Sequence, residues 1–293
     1  MQREVKNVVR AFVKYGIRGF LYVYWRYIVA PKIMYRKTPV HSPPERGDLE
    51  IHMLFGERDF LMALWSLASF YRVMPEVGIL IVHSDGTLTD EHKEVLKKLF
   101  PTCIIEDAAY FLHLHEQELL QFPNLITFRR EFKGFQAKKL IDQYIVAKRP
   151  LRLLLDSDMV WFKEPTEIVE SIRQGVPRPL MMTNADARVH VLFKDGSTTS
   201  DRVAQANSGI VLYRADQFSL FAVDQYVALT DYRNKKFTDQ ACFASVLEPD
   251  FLPDERYLIK GTLTKDVVMR HYTSPQRLKF YFYGINRVYR DIL

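Results

Sequence analysis

Cysteine is scarce in this chain. Cys103 and Cys242 are the only two among 293 residues, far apart and each set among apolar neighbours. That pattern offers neither a disulfide framework nor zinc-ligand spacing, and reads as two buried, reduced thiols of the kind a reducing compartment keeps. A glycine-rich phosphate loop of either common type is missing too, which removes the commonest sequence sign of a bound nucleotide. Long uncharged runs are lacking near the N-terminus. The longest there, Gly19 to Trp25, falls far short of the roughly 20 residues that span a bilayer, and no small-residue cleavage site follows it. A transmembrane helix and a secretory signal are therefore not expected in that region. There are no internal repeats, no low-complexity tract and no nucleic-acid-reading module.

What is present begins with charge. The formal net charge is +6, yet residues 1–38 hold nine cations against Glu4 alone, a net +8 that leaves the remainder at −2. The basicity therefore belongs to an N-terminal arm, and a nucleic-acid-binding body is not supported. Val5, Val8, Val9, Phe12, Gly16, Ile17, Phe20, Leu21, Tyr24 and Ile28 recur at three- and four-residue steps, with Arg3, Asn7, Arg10, Lys14 and Arg18 on the other side. This predicts an amphipathic helix with a basic face. It suits either a membrane interface or packing onto the body or a partner subunit. Pro31, Pro39, Pro43 and Pro44 then break regular structure, and residues 43–48 read as a linker.

With 48% hydrophobic and 26% charged residues, the rest has the composition of a folded chain able to bury a sizeable core. Leu49 to Phe55 alternates as a strand, Phe60 to Tyr71 as an apolar helix, and Gly78 to His83 as a buried strand. Thr87 or Thr89 caps a further helix, Thr102 to Ile105 is a short strand, and residues 134–147 form a helix. Alternating strands and helices predict a mainly parallel α/β sheet with helices on both faces.

Leu151 to Val160 is an apolar run interrupted by Asp156-Ser157-Asp158. On a strand, residues i and i+2 point the same way, so both carboxylates converge at its carboxyl end, where ligands bind in open α/β sheets. Two readings fit that local pattern: a solvated polar strand end, or a site for Mg²⁺ or Mn²⁺ holding a phosphate-bearing substrate. Downstream, Thr166 to Gln174 reads as a helix, Leu180 to Thr183 as a strand, and Lys194 to Asp201 as a polar loop. Asn207-Ser208-Gly209 reads as a tight turn into the strand Ile210 to Tyr213.

Taken in order, these motifs resemble a retaining glycosyltransferase of the GT-A fold, closest to glycosyltransferase family 8, over about residues 49–280. The matching elements are Asp156-Ser157-Asp158, Asn207 to Tyr213, Thr238-Asp239-Gln240, Arg270-His271-Tyr272 and, more weakly, Lys139-Leu140. After His271 the sequence departs from the family's glycine and Lys-Pro-Trp, although Arg277 keeps a cation where the family's phosphate-contacting lysine falls.

The arm and linker occupy residues 1–45, and the resemblance implies a GT-A domain over 46–293. Within that domain lie a nucleotide-sugar-binding half (46–165), an acceptor-side half (166–270) and a basic aromatic tail (271–293). It implies Mn²⁺, or Mg²⁺, held by Asp158 and His271 with Asp156 sharing the metal and the ribose; Mn²⁺ is preferred because imidazole suits it better. Lys139 and Arg277 would contact the diphosphate or donor sugar. Asn207 and Asp239 would line the sugar pocket, with Gln240 a further contact, and the turn from Phe55 to Phe60 would meet the base. The implied reaction moves a hexose from a nucleotide sugar, a UDP-hexose, to a glycan or glycolipid acceptor with retention. Apart from the resemblance, the mixture of cations and aromatics in residues 1–30 and in the tail 277–290 suits either the cytoplasmic face of a membrane or packing onto the body. Two rivals stand beside the transferase reading. One is a haloacid-dehalogenase-like phosphohydrolase with Asp156 as nucleophile and a later Asp250–Asp254 pair; the other is a catalytically inactive membrane-bound scaffold on the same fold.

Overall fold

The computed structural model describes residues 2–41, 46–132, 134–184, 188–231 and 239–293. Among these, the chain opens with α1 (Gln2–Tyr15) and α2 (Gly19–Tyr24), followed by tighter and wider helical turns to Tyr35. Then come β1 (Arg46–Phe55), α3 (Phe60–Val73), β2 (Gly78–Ser84), α4 (Asp90–Leu99) and β3 (Ile104–Asp107). Three helical stretches lead to β4 (Leu151–Leu155) and β5 (Met159–Trp161). The second half holds β6 (Leu180–Thr183), β7 (Ala206–Arg214), the helix Asp239–Leu247, and the short strands β8 (Asp250–Phe251), β9 (Tyr257–Leu258) and β10 (Met269–His271).

Seven strands form the main sheet in the order β3-β2-β1-β4-β7-β6-β8, and β5, β10 and β9 form a second, small one. The first four strands are parallel, and the direction reverses at β7, which runs antiparallel to both β4 and β6. This is the mixed, mainly parallel sheet that the α/β alternation predicts. Strand β4 reads as a continuous apolar run because both its faces are covered, and all five of its residues are buried. Arg152 is accommodated there by lying over the ring of Tyr144, 4.6 Å from its centroid. Helix α3 is buried from Phe60 to Tyr71, as its unbroken apolar sequence requires. Of the two cap candidates for α4, Thr89 is the one used: its hydroxyl accepts from the His92 amide and the His92 ring accepts from the Thr89 amide.

Three local expectations are corrected. The arm is a hairpin rather than one continuous helix. Gly16 adopts φ +55°, ending α1, and the chain doubles back so that Arg26 lies 3.4 Å from Glu4. Asp156 and Asp158 do not share a strand: β4 stops at Leu155, and the acidic residues occupy the connection that carries the chain from the large sheet to the small one. Asn207-Ser208-Gly209 is not a turn but part of β7. Glycine is needed there because a Cβ on Gly209 would lie 2.6 Å from Nδ1 of His271. The linker residues Pro43, Pro44 and Glu45, and Thr238, lie outside the described residues.

The second half of the arm belongs to the main core. Tyr22, Trp25, Val29, Ala30 and Ile33 are buried there, and the Trp65 indole donates to the Ala30 carbonyl at 2.9 Å. Tyr22 meets Tyr281 edge-on, and Trp25 meets Tyr289. Tyr281 is thereby buried against the arm, and Phe280 is buried between Tyr272 and Tyr281, so neither tail aromatic faces solvent. The outer surface of the arm is different. Val5, Val9, Val13, Ile17, Phe20, Leu21, Tyr24 and Ile28 are all exposed, Val13 and Ile17 each at 82%. No helix among the described residues is long and apolar enough to cross a membrane.

Candidate active site

The carboxyl end of β4 is fixed by its neighbour: the Asp156 amide donates to the Gly209 carbonyl on β7 at 2.9 Å. Two residues on, the Asp158 carbonyl accepts from the Tyr272 amide at 2.8 Å, which pins the acidic connection to the end of β10. Antiparallel pairing of β10 with β5 places His271 opposite Met159, beside the two aspartates. One ligand atom from each of Asp156, Asp158 and His271 lies within 4.8 Å of the others.

The imidazole's orientation is set by Asn207. The Asn207 Oδ1 accepts from the Gly209 amide at 2.9 Å, which identifies it as the oxygen, and it stands 3.2 Å from His271 Nδ1. Nδ1 must therefore carry a proton, leaving Nε2 aimed at Asp158 Oδ1 (2.9 Å) and Asp156 Oδ2 (3.4 Å). In its neutral form His271 would turn an Nε2 lone pair toward two carboxylates, an arrangement that a cation completes; without one, a proton on Nε2 fills the same place and donates to Asp158. That donor set fits a divalent cation, and the Asn207 contact is the outer support such a histidine needs. Burial disfavours the charged imidazole, but Asp158 and Asp156 outweigh it and hold His271 above its ordinary value. Asp158 is likewise opposed by burial, yet His271 and Arg277 keep it below the usual carboxylate range.

Two cations flank the acids. Lys139, buried on a wide helical turn (Lys138–Asp142), donates to Asp156 Oδ1 at 2.7 Å and to the Ser208 carbonyl at 2.6 Å. Its Nζ also lies 3.6 Å from Asp239 Oδ2, and the Ser208 hydroxyl donates to that same oxygen at 2.7 Å. Arg277 stands 3.2 Å from Asp158 and 3.1 Å from Asp59, so it spans from the acidic connection to the turn after β1. Burial opposes the charge on Lys139 and on Arg277, and the surrounding carboxylates overcome it in both.

The structure thus brings together Asp156, Asp158, His271, Asn207, Lys139, Asp239 and Arg277, all singled out from sequence. Gln240 is half-buried on the helix that Asp239 opens. Phe55 and Phe60 are both buried, with the Phe60 ring 4.3 Å from that of His92, so packing already occupies much of their surface. Ser208 and Asp59 were not singled out. The signal for Ser208 is its place between Asn207 and Gly209 in the matched motif; Asp59 has none, because its role depends on where Arg277 folds.

No family model matches this chain, and no curated protein matches it in sequence. Solved structures do match in fold. The bifunctional glycosyltransferase WbbM superposes with a TM-score of 0.53 at 13% identity, over 80% of this chain. This chain spans 47% of WbbM's length. An active-site mutant of LgtC superposes with the same score at 12% identity, over 77% of this chain and 88% of LgtC. At these identities the likeness establishes the fold, which is GT-A.

Proposed function

We propose that this chain is a metal-dependent glycosyltransferase. It moves a hexose from a nucleotide sugar, a UDP-hexose, to a glycan or glycolipid acceptor, with retention, at a membrane surface. One observation carries this reading: two carboxylates and an oriented imidazole converge within 4.8 Å on a GT-A fold, with a buried lysine and a half-buried arginine alongside. Both solved relatives bear glycosyltransferase or active-site designations, which accords with it.

Asp158 and His271 would hold Mn²⁺ directly, with Asp156 shared between the metal and the ribose. When bound, the cation offsets negative charge that develops on the departing diphosphate. Arg277 and Lys139 add fixed positive charge at the same place, already oriented and therefore without reorganisation during the reaction. Asn207 keeps the His271 tautomer. Asp239, tied to Ser208 and Lys139, lines the sugar pocket with Gln240 beside it, and the turn from Phe55 to Phe60 borders the base. No side chain is assigned as nucleophile. The front-face displacement expected of retaining enzymes of this type asks the protein to hold donor and acceptor together.

The membrane reading rests on the exposed apolar row from Val5 to Ile28 and the flanking cations of α1, the arrangement of a helix lying in an interface, here on the cytoplasmic face. Incubation with Mn²⁺ and a panel of UDP-hexoses tests the chemistry. Metal-dependent nucleotide release, lost on chelation and in Asp158→Asn, is expected. Aryl-phosphate hydrolysis without nucleotide release would overturn the reading, and an Asp158→Asn variant as active as wild type would favour an inactive scaffold.

A further inference from the structure

Between the arm and the body lies a cavity of about 910 Å³. The arm supplies one wall through Asn7, Arg10, Lys14 and Arg26, and the body supplies the other through Arg58 and Arg277. Some of that charge is already matched: Arg26 faces Glu4, while Arg58 and Arg277 both face Asp59. Arg10 and Lys14 have no carboxylate partner among the described residues, and Lys14 donates only to the Pro275 carbonyl, at 3.0 Å. Glu57 adds a negative charge on the body wall, so the cavity's unmatched positive charge lies on the arm side, at Arg10 and Lys14. The cavity also adjoins the acidic cluster, because Arg277 lines it and touches Asp158.

The position of this cavity relative to the apolar row is informative. On α1, Asn7, Arg10 and Lys14 recur at helical spacing on one face, while Val5, Val9 and Val13 recur on the opposite face and stand exposed. A helix lying in an interface buries its apolar face about 5–10 Å into the headgroup boundary, and a helix with its side chains is about 10 Å across. If α1 lies that way, its cavity face stands at the level of the lipid headgroups. The volume is at the upper end of the range for small-ligand sites, about 300–1,000 Å³, so it exceeds what a lone phosphate needs.

We propose that this cavity receives the phosphate-bearing headgroup of the lipid acceptor, with Arg10 and Lys14 holding the phosphate and the rest of the headgroup directed toward Arg277 and the acidic cluster. This rests on the membrane and transferase readings above, and it names the acceptor's class: an anionic, phosphate-bearing lipid. Charge-assisted hydrogen bonds from an arginine and a lysine to one phosphate supply the recognition.

The test uses the full chain without metal or donor. It is titrated with glycerol 3-phosphate and sedimented with phosphatidylcholine vesicles, with or without phosphatidic acid. Phosphatidic acid is expected to strengthen vesicle binding. Arg10→Gln combined with Lys14→Gln is expected to weaken binding of both phosphate probes by about tenfold or more. Lys6→Gln combined with Arg18→Gln removes two exposed cations outside the cavity and is expected to leave glycerol 3-phosphate affinity within about twofold of wild type. Equal losses in the two double variants would reduce the effect to general surface attraction and overturn the proposal. Binding of glycerol 3-phosphate with no gain from phosphatidic acid would assign the cavity to a free phosphate and overturn the lipid source. UDP-hexose hydrolysis by the wild type with Mn²⁺, run in parallel, reports the transferase reading separately. Its absence would sink that reading while leaving the phosphate-binding result to stand.

Discussion

Lys139 Nζ lies 2.7 Å from the Asp156 carboxylate, in a position where the lysine is buried and the aspartate is one-third exposed. Its remaining protons go to the Ser208 carbonyl and hydroxyl. Lys139→Met removes the cation that contacts both Asp156 and Asp239 and takes away the Ser208 carbonyl's lysine donor. Breaking a buried pair costs about 3–5 kcal/mol, and the exposure of Asp156 lowers the expectation here to about 2–3 kcal/mol. Chemical denaturation would show it as a reduced midpoint with unchanged slope; a midpoint equal to wild type would remove Lys139 from its structural role.

Gly209 owes its identity to His271. A Cβ at this position would stand 2.6 Å from Nδ1 and 2.7 Å from Cε1 of the ring, and 2.9 Å from Asn207 Oδ1. Gly209→Ala should therefore displace the imidazole and its Asn207 support together. Loss of such outer support weakens metal binding by about 10–100-fold, and that range is expected here for Mn²⁺. Calorimetric titration of Mn²⁺ into wild type and variant measures it. Equal affinities would mean that His271 is not a ligand or that β7 yields to the methyl group.

A buried histidine pair away from the site makes stability depend on pH. His52 Nδ1 lies 2.9 Å from His83 Nε2 across β1 and β2, and Glu50 lies 3.4 Å from His52 Nε2. Burial holds His83 well below the ordinary imidazole value and lowers His52 too, although Glu50 pulls His52 part of the way back. In the unfolded chain both histidines take protons near pH 6.5, so the unfolded state binds more protons as pH falls and the folded state loses stability. The slope is up to about 1.4 kcal/mol per pH unit for each histidine below pH 6.5. Burial raises Asp142 to about 6 despite Arg129, which acts in the opposite direction. The comparison of slopes is therefore the measure: between pH 7 and 5, His83→Gln should lose stability less steeply than wild type. Parallel slopes would show that the pair accepts protons without cost.

The outer face of the arm can be altered without touching the core. Val13 and Ile17 are each 82% exposed, so Val13→Asp with Ile17→Asp should shift stability by no more than about 0.5 kcal/mol per site. Sedimentation with neutral phosphatidylcholine vesicles should nevertheless fall to background. Unchanged vesicle binding would show that this row does not meet lipid.

Part of the site is legible in the sequence itself, because the apolar run of β4 locates Asp156 and Asp158 at its end. Asn207, Lys139, Asp239, His271 and Arg277 are reached through the ordered motifs of the family resemblance. The geometry is less legible. Two aspartates one residue apart suggest a shared strand, but the chain changes sheets there, and their convergence depends on β10, whose three residues carry no periodic signal. Asn-Ser-Gly suggests a turn because asparagine and glycine favour turns. Here the glycine instead makes room for a ring more than sixty residues away, a demand that no local window contains. The arm's periodicity correctly shows apolar and basic faces. It does not show that Gly16 reverses the chain, nor which apolar residues pack and which stay exposed.

The edge-on contacts of Tyr22 with Tyr281 and of Trp25 with Tyr289 have a consequence for synthesis. Tyr22 and Trp25 leave the ribosome long before Tyr281 and Tyr289, against which they pack. Until those arrive, the arm's inner aromatics lack the tail that covers them, and neither His271 nor Arg277 is yet in place beside the aspartates. A partly synthesised chain would therefore expose a sticky, amphipathic arm before His271 and Arg277 had joined the aspartates. Long-range contacts of this kind fold slowly and favour association with other surfaces in the interval.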